Sequence, residues 1–192
     1  MTEARTNIWE LIELYRKSKF YTVVLNEAYL ARYAGIHLGS YVEESDDEFL
    51  EDLRELLTND TTLGEKKVKS FLENNSVDKI RSAFELFLAE EIEPIGFIDT
   101  FLKLKNCDLY FASQLLGFAS EGFYITCNDV IYKAMIELFP DFEGNPSPVK
   151  DGVSYMYFQM ACDVIMQTYR FTSVQELHWF LWHGNRTDWK FI

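Results

Sequence analysis

An all-α fold is predicted for this chain, a multi-helical globule of about nine to ten helices, and three observations predict it. Apolar residues recur at helical spacing along almost the whole length, so that one side of each segment can face a core. Only four prolines and nine glycines interrupt the 192 residues, and several fall where a helix would begin or end. The chain is also 48% hydrophobic and 16% aromatic, enough apolar surface to offset the entropy lost on ordering a packed domain.

The elements follow in order. Ile8, Leu11, Ile12 and Tyr15 mark a first helix after a Thr6/Asn7 cap. A second is expected from about Phe20 to Ala34, with Gly35 as its C-terminal stop. Tyr21 to Leu25 alone has strand composition, but the residues after it pull the segment helical. Asp46 to Leu57 places Phe49, Leu50, Leu53 and Leu57 on one face. Thr62 and Glu65 have capping-box spacing ahead of a helix carrying Val68, Phe71 and Leu72. Ser76 caps a helix that turns Val77, Ile80, Phe84, Phe87 and Leu88 inward. Pro94 suits a first helical turn, with Ile98, Phe101 and Leu102 inward. Further helices are expected near Leu109 to Phe118, Asp129 to Phe139, Val153 to Phe171 and Val174 to His183. Pro140 ends the second of these, Ser173 and Glu176 form a capping box for the last, and Asp141 to Asp151 is a long loop.

Charge divides the chain. Residues 1–93 carry 20 acids against 11 bases, and residues 94–192 carry 11 against 7, which together give the net charge of −13. We expect an acidic N-terminal helical lobe (1–93) and a second helical lobe (94–192) within one compact unit. Phosphate recognition relies on clustered Lys and Arg, so this composition argues against general nucleic-acid binding while leaving room for a local basic groove. Lys66, Lys67 and Lys69 form the one basic cluster, and their primary reading is as solubilising residues beside Glu65 and Glu73.

Cys107, Cys127 and Cys162 are odd in number and widely spaced, as reduced buried thiols would be. No segment approaches the ~18 uninterrupted apolar residues of a membrane span, and the start of the chain lacks an apolar leader. We therefore expect a cytoplasmic protein without membrane contact. His37, His178 and His183 are too few and too scattered for a metal, and neither HExxH nor CxxC occurs. Nucleophile-elbow, phosphate-loop and dinucleotide signatures are also missing, so no metal and no cofactor is expected.

Two features carry the functional expectations. Glu43 to Asp60 holds nine carboxylates against Arg54 alone. Such a run is first a solvated helix face, whose leading acids the helix dipole favours. Its sharper reading is a surface, centred on Glu43, Glu44, Asp46, Asp47 and Glu48, that meets a partner with a basic surface as nucleic-acid phosphate would. A calcium loop is disfavoured because alternating acids followed by glycine are absent. The second feature is the aromatic tail with Trp179, Phe180, Trp182, Trp189 and Phe191, read as core or interface anchors before base-stacking residues.

Between two apolar helices, Asn106-Cys107-Asp108 takes the place of a hairpin, followed by Leu109-Tyr110-Phe111-Ala112-Ser113 with a small pair at its end. Asp129 follows 21 positions after Asp108, and Tyr155 to Phe171 with Leu177 to Trp182 supply closing helices. On these residues, Phe97 to Gly184 resembles the helix-hairpin-helix DNA glycosylase superfamily, more closely its helical modules found near modified-cytosine restriction GTPases and similar defence proteins. The resemblance implies a helix-hairpin-helix-like unit around residues 95–118, with Asp129 at the catalytic aspartate's position. Tyr110 or Trp179 would then stack on an extruded base.

The departures from that pattern have physical consequences. The hairpin glycines are gone, and Asp108 would set a carboxylate against phosphate. Leu109-Tyr110-Phe111 contains no lysine to form a Schiff base. Asn128 and Asp129 after Thr126 also have the composition of a helix N-cap. The expected function is thus a non-catalytic interaction or regulatory protein on a degenerate glycosylase-like core, in defence or mobile-element biology. Two alternatives stand beside it: base excision or modified-base recognition through Asp129, and an acidic antitoxin or nucleic-acid mimic.

Overall fold

The structure, a computed structural model, describes residues 7–22, 24, 35, 37–58, 63–140 and 149–190. Nine helices have both ends among these residues. They are α1 (Ile8–Lys17), α2 (Asp46–Thr58), α3 (Glu65–Asn74), α4 (Val77–Leu88) and α5 (Pro94–Phe101), then α6 (Leu109–Ala119), α7 (Asp129–Leu138), α8 (Gly152–Tyr169) and α9 (Val174–Arg186). Residues 37–41 are helical as well, and the described residues include no strand. The fold is an all-α, multi-helical globule.

Local chemistry sets most helix starts. Asn7 Oδ1 accepts from the Trp9 N–H at 3.2 Å to open α1, and Pro94 holds the first turn of α5. Ser173 Oγ accepts from the Glu176 N–H at 3.1 Å to open α9. Asp151 and Ser154 form a reciprocal capping box at the start of α8, a pairing the loop reading of Asp141 to Asp151 overlooked. Positions 141–148 of that loop lie outside the described residues.

Several expected boundaries require correction. Gly35 does not stop a helix: its backbone is helical, as are residues 37–41. It is glycine because a Cβ there would lie 2.9 Å from the Phe118 carbonyl oxygen. Most of the expected Phe20 to Ala34 helix lies outside the described residues. Helix α3 begins directly after Gly64, which takes the N-cap position at φ 78°. Glu65 is therefore the first helical residue rather than the fourth member of a box, and Thr62 lies outside the described residues. Ser76 sits at the N-cap of α4 without a side-chain capping bond, and Leu88 at the end of α4 is 36% exposed rather than inward.

One hydrophobic core runs through both halves of the chain. Helix α5 packs between α4, α6 and α8, while α7 packs on α9 and α2 on α3. Aromatic rings bridge the halves: Phe71 lies 4.5 Å from Phe111 and Tyr15 lies 5.5 Å from Phe180, centroid to centroid. Arg16 on α1 donates from Nε to the fully buried Glu176 of α9 at 2.7 Å. Thr172 donates its N–H and its hydroxyl to the other oxygen of the same carboxylate, each at 2.6 Å. Glu176 is thereby a buried anchor, although the sequence suggested only a capping partner.

Candidate binding groove and acidic face

The turn joining α5 to α6 forms one side of a groove, and side chains dictate its path. Asn106 adopts φ 60°, a left-handed conformation that asparagine tolerates better than most residues. Its Nδ2 reaches Ser70 Oγ at 3.1 Å. Asn75 clamps the next peptide, donating to the Lys105 carbonyl and accepting from the Lys105 N–H, both at 2.9 Å. Asp108 then caps α6: Oδ1 accepts from the Phe111 N–H at 2.9 Å and Oδ2 accepts from Lys67 Nζ at 2.7 Å. Lys67 also lies 5.5 Å from the Tyr110 ring centroid. Burial, then the charge of Asp108, pushes the Cys107 thiol up to about 12, so it is not a ready nucleophile.

The opposite side begins with an irregular segment held by buried polar side chains. Gln159 of α8 accepts from the Ile125 N–H at 2.9 Å, and the Tyr155 hydroxyl donates to the Ile125 carbonyl at 2.8 Å. Ser113 of α6 accepts from the Cys127 N–H at 2.9 Å. The small residue at 113 thus has a physical role: a fully buried hydroxyl replaces a ladder partner for an extended backbone. This segment delivers Asn128, whose Oδ1 accepts from the Val130 and Ile131 N–H groups at 2.9 Å each and caps α7. Asn128 therefore supplies the cap, and Asp129 follows as the exposed first residue of α7.

Asp108, Tyr110, Asn128, Asp129, Tyr132 and Trp182 line a groove of about 380 Å³. The sequence-derived candidates Tyr110, Asp108 and Asp129 meet there. Asn106 and Cys107 face an adjoining basin of about 720 Å³ with Gly64, Lys66 and Lys67, and Asp108 lines both hollows. Trp179 is 8% exposed and stacks on His183 at 5.2 Å. Trp182 lines the groove instead, with the Arg186 guanidinium 5.3 Å from its ring centroid. Sequence spacing placed both tryptophans on α9, but only the packing of that helix decides which one faces outward.

The titratable side chains of this groove are carboxylates, a buried thiol and tyrosine hydroxyls. No lysine or histidine is among its lining residues. Cys127 is buried and its thiol is pushed up by burial, then by the charge of Asp129. Among the described residues, no group of three His, Cys, Asp or Glu side chains could hold a metal ion. No helix there is long and apolar enough to cross a membrane.

The acidic residues at the start of α2 occupy a different surface. Glu43, Asp46, Asp47 and Glu48 are exposed and Glu44 is half-buried. Ser45 donates its hydroxyl to Glu48 at 2.6 Å, and these contacts hold the Glu48 carboxyl below the usual range. Partial burial, then the neighbouring Asp52, raises the carboxyl of Glu44. Asp46 pairs with Arg81 at 2.8 Å, and that guanidinium lies 4.9 Å from the Phe49 ring centroid. The charge of Arg81 also reaches Glu44, while no ion pair among the described residues involves Glu43, Asp47 or Glu48.

Comparison of the chain with protein-family models, curated proteins and solved structures found no match.

Proposed function

We propose that this chain is a non-catalytic cytoplasmic interaction or regulatory protein on a degenerate glycosylase-like helical core, and that its acidic face engages a partner with a basic surface. The observation that carries the reading is the exposure of Glu43, Asp46, Asp47 and Glu48 along the first turn of α2 and its approach. Like charges held together on a rigid helix produce a field that steers and orients a basic partner. The setting we propose for it is defence or mobile-element biology, and an acidic antitoxin or nucleic-acid mimic that restrains a nucleic-acid enzyme is the alternative reading of the same face.

The test is capture from source-cell extract with the wild type and a variant carrying Glu43→Gln, Glu44→Gln, Asp46→Asn, Asp47→Asn and Glu48→Gln. Loss of a basic protein from the variant's captured set is expected. An unchanged set would show that the face is not the interface.

A second reading rests on the groove, where Tyr110 and Trp182 offer aromatic surface beside Asp129. Opposing it, Asp108 and Asp129 place carboxylates on the same groove that a sugar-phosphate backbone would approach. Incubation with duplexes carrying modified bases separates the two readings: base release, or binding weakened by Asp129→Asn, would move the function to the groove.

A further inference from the structure

We propose that the groove between the starts of α6 and α7 and the outer side of α9 binds a methylated ammonium group, the head of a choline-like molecule or of a methylated lysine side chain. The site goes beyond both readings above, since it is neither the α2 face nor a seat for a nucleobase. Its walls are aromatic: Tyr110 at the start of α6, Tyr132 near the start of α7 and Trp182 on α9 are all half-buried and line one hollow of about 380 Å³, within the size range of small-molecule sites. The face of such a ring is negative and attracts cations. Two of these rings already do so for the chain itself, with Lys67 5.5 Å from the Tyr110 centroid and Arg186 5.3 Å from the Trp182 centroid. Neither cation is among the residues that line the hollow.

One carboxylate supplies the complementary charge. Asp108 is committed, since Oδ1 accepts from the Phe111 N–H and Oδ2 from Lys67. Asp129 is exposed, and no ion pair among the described residues involves it. The Val130 and Ile131 N–H groups that a carboxylate at a helix start would accept from are both taken by Asn128 Oδ1. Asp129 thus brings an unneutralised charge to an aromatic hollow. The shortage of acceptors then selects the class of cation. A primary ammonium sheds water from three N–H donors on entry, and each needs a new acceptor. Both Asp108 oxygens and Asn128 Oδ1 already accept, so Asp129 meets only part of that need. A methylated ammonium has few such donors or none, and ring faces with one carboxylate satisfy it.

Nuclear magnetic resonance titration of the 192-residue chain tests this, in about 0.15 M salt to screen general attraction to the −13 charge. The probes are choline, the uncharged alcohol in which carbon replaces the choline nitrogen, and ethanolamine, whose ammonium bears no methyl groups. Choline should shift the Trp182 indole and Asp129 amide signals and bind at least about fivefold more tightly than either of the others. Asp129→Asn, which leaves the Asn128 cap in place, should weaken choline about fivefold and leave the alcohol unchanged. Tyr132→Leu should weaken choline more than the alcohol, and the variant with five substitutions on the α2 face should bind choline as the wild type does. Comparison with N-acetyl trimethyllysine amide separates the two sources of the head group, and tighter binding of either one supports the proposal. Equal binding of choline and the alcohol overturns it, as does ethanolamine binding as tightly as choline. So does the absence of these shifts with both methylated probes, or a loss in the α2 variant equal to that in Asp129→Asn.

Discussion

His178 shows how far a residue's chemistry depends on its surroundings. Burial pushes its imidazole down to about 4 from the ordinary 6.5, with the Thr126 backbone partly opposing and His183 adding to the shift. Burial lowers His183 as well. Between pH 6.5 and 4 the unfolded chain takes up a proton that the native His178 refuses, so this contribution to stability is complete above pH 6.5 and declines as pH falls towards 4. The drop attributable to His178 is about 3 kcal/mol. Urea unfolding at stepped pH should show the midpoint falling over that window, and His178→Gln should flatten the fall. In the sequence this histidine was legible only as one of three scattered candidates that fail to make a zinc site. Its burial, and its contact with the backbone of Thr126 some fifty residues away, are tertiary facts. The same holds for Gln159 and Ser113, polar residues whose partners lie on a backbone segment remote in sequence.

At the scale of elements, helix starts were legible where the cap is local and obscure where glycine was the clue. Asn7, Pro94 and Ser173 act within three residues of themselves, so their roles can be read from the string. Gly35 and Gly152 are glycine because another backbone passes close by, and nothing in their neighbours reports that. A Cβ at Gly152 would overlap the backbone of Ile95 where α8 crosses α5, and backbone cannot swing aside as a flexible side chain does. Gly152 also donates its N–H to Asp99 Oδ1 at 2.7 Å. Gly152→Ala should therefore cost about 1–3 kcal/mol, as overpacking does. Gly39 has open space around its Cβ position and lies in a helical stretch, so Gly39→Ala should be stabilising by about 0.5–1 kcal/mol. Thermal unfolding of the two variants in parallel would compare these costs directly.

Across the whole molecule, the charge boundary near residue 93 is not a boundary in packing. Asn75 holds Lys105, Lys67 holds Asp108, and Arg16 holds Glu176 across it. Replacing Arg16 by leucine would leave the 0%-exposed Glu176 carboxylate with the N–H and hydroxyl of Thr172 in place of a cation. A loss of about 3 kcal/mol is expected, the low end for a broken buried pair, because Arg16 itself retains some exposure. Denaturant unfolding should remain a single transition in that variant, since one core spans both halves. Composition made the acidity of the first half legible, and structure added that most of the Glu43 to Glu48 acids face solvent rather than an internal cation. The most direct test of that face uses two variants of equal net charge. Five substitutions at Glu43, Glu44, Asp46, Asp47 and Glu48 take −13 to −8, and Glu10→Gln, Glu85→Gln, Glu90→Gln, Glu91→Gln and Glu121→Gln give the same −8 elsewhere on the exposed surface. Titrated against the basic protein captured by the wild type, the first variant should bind at least about tenfold more weakly and the second should bind nearly as the wild type does. Equal weakening in both variants, or none in the first, would contradict the account.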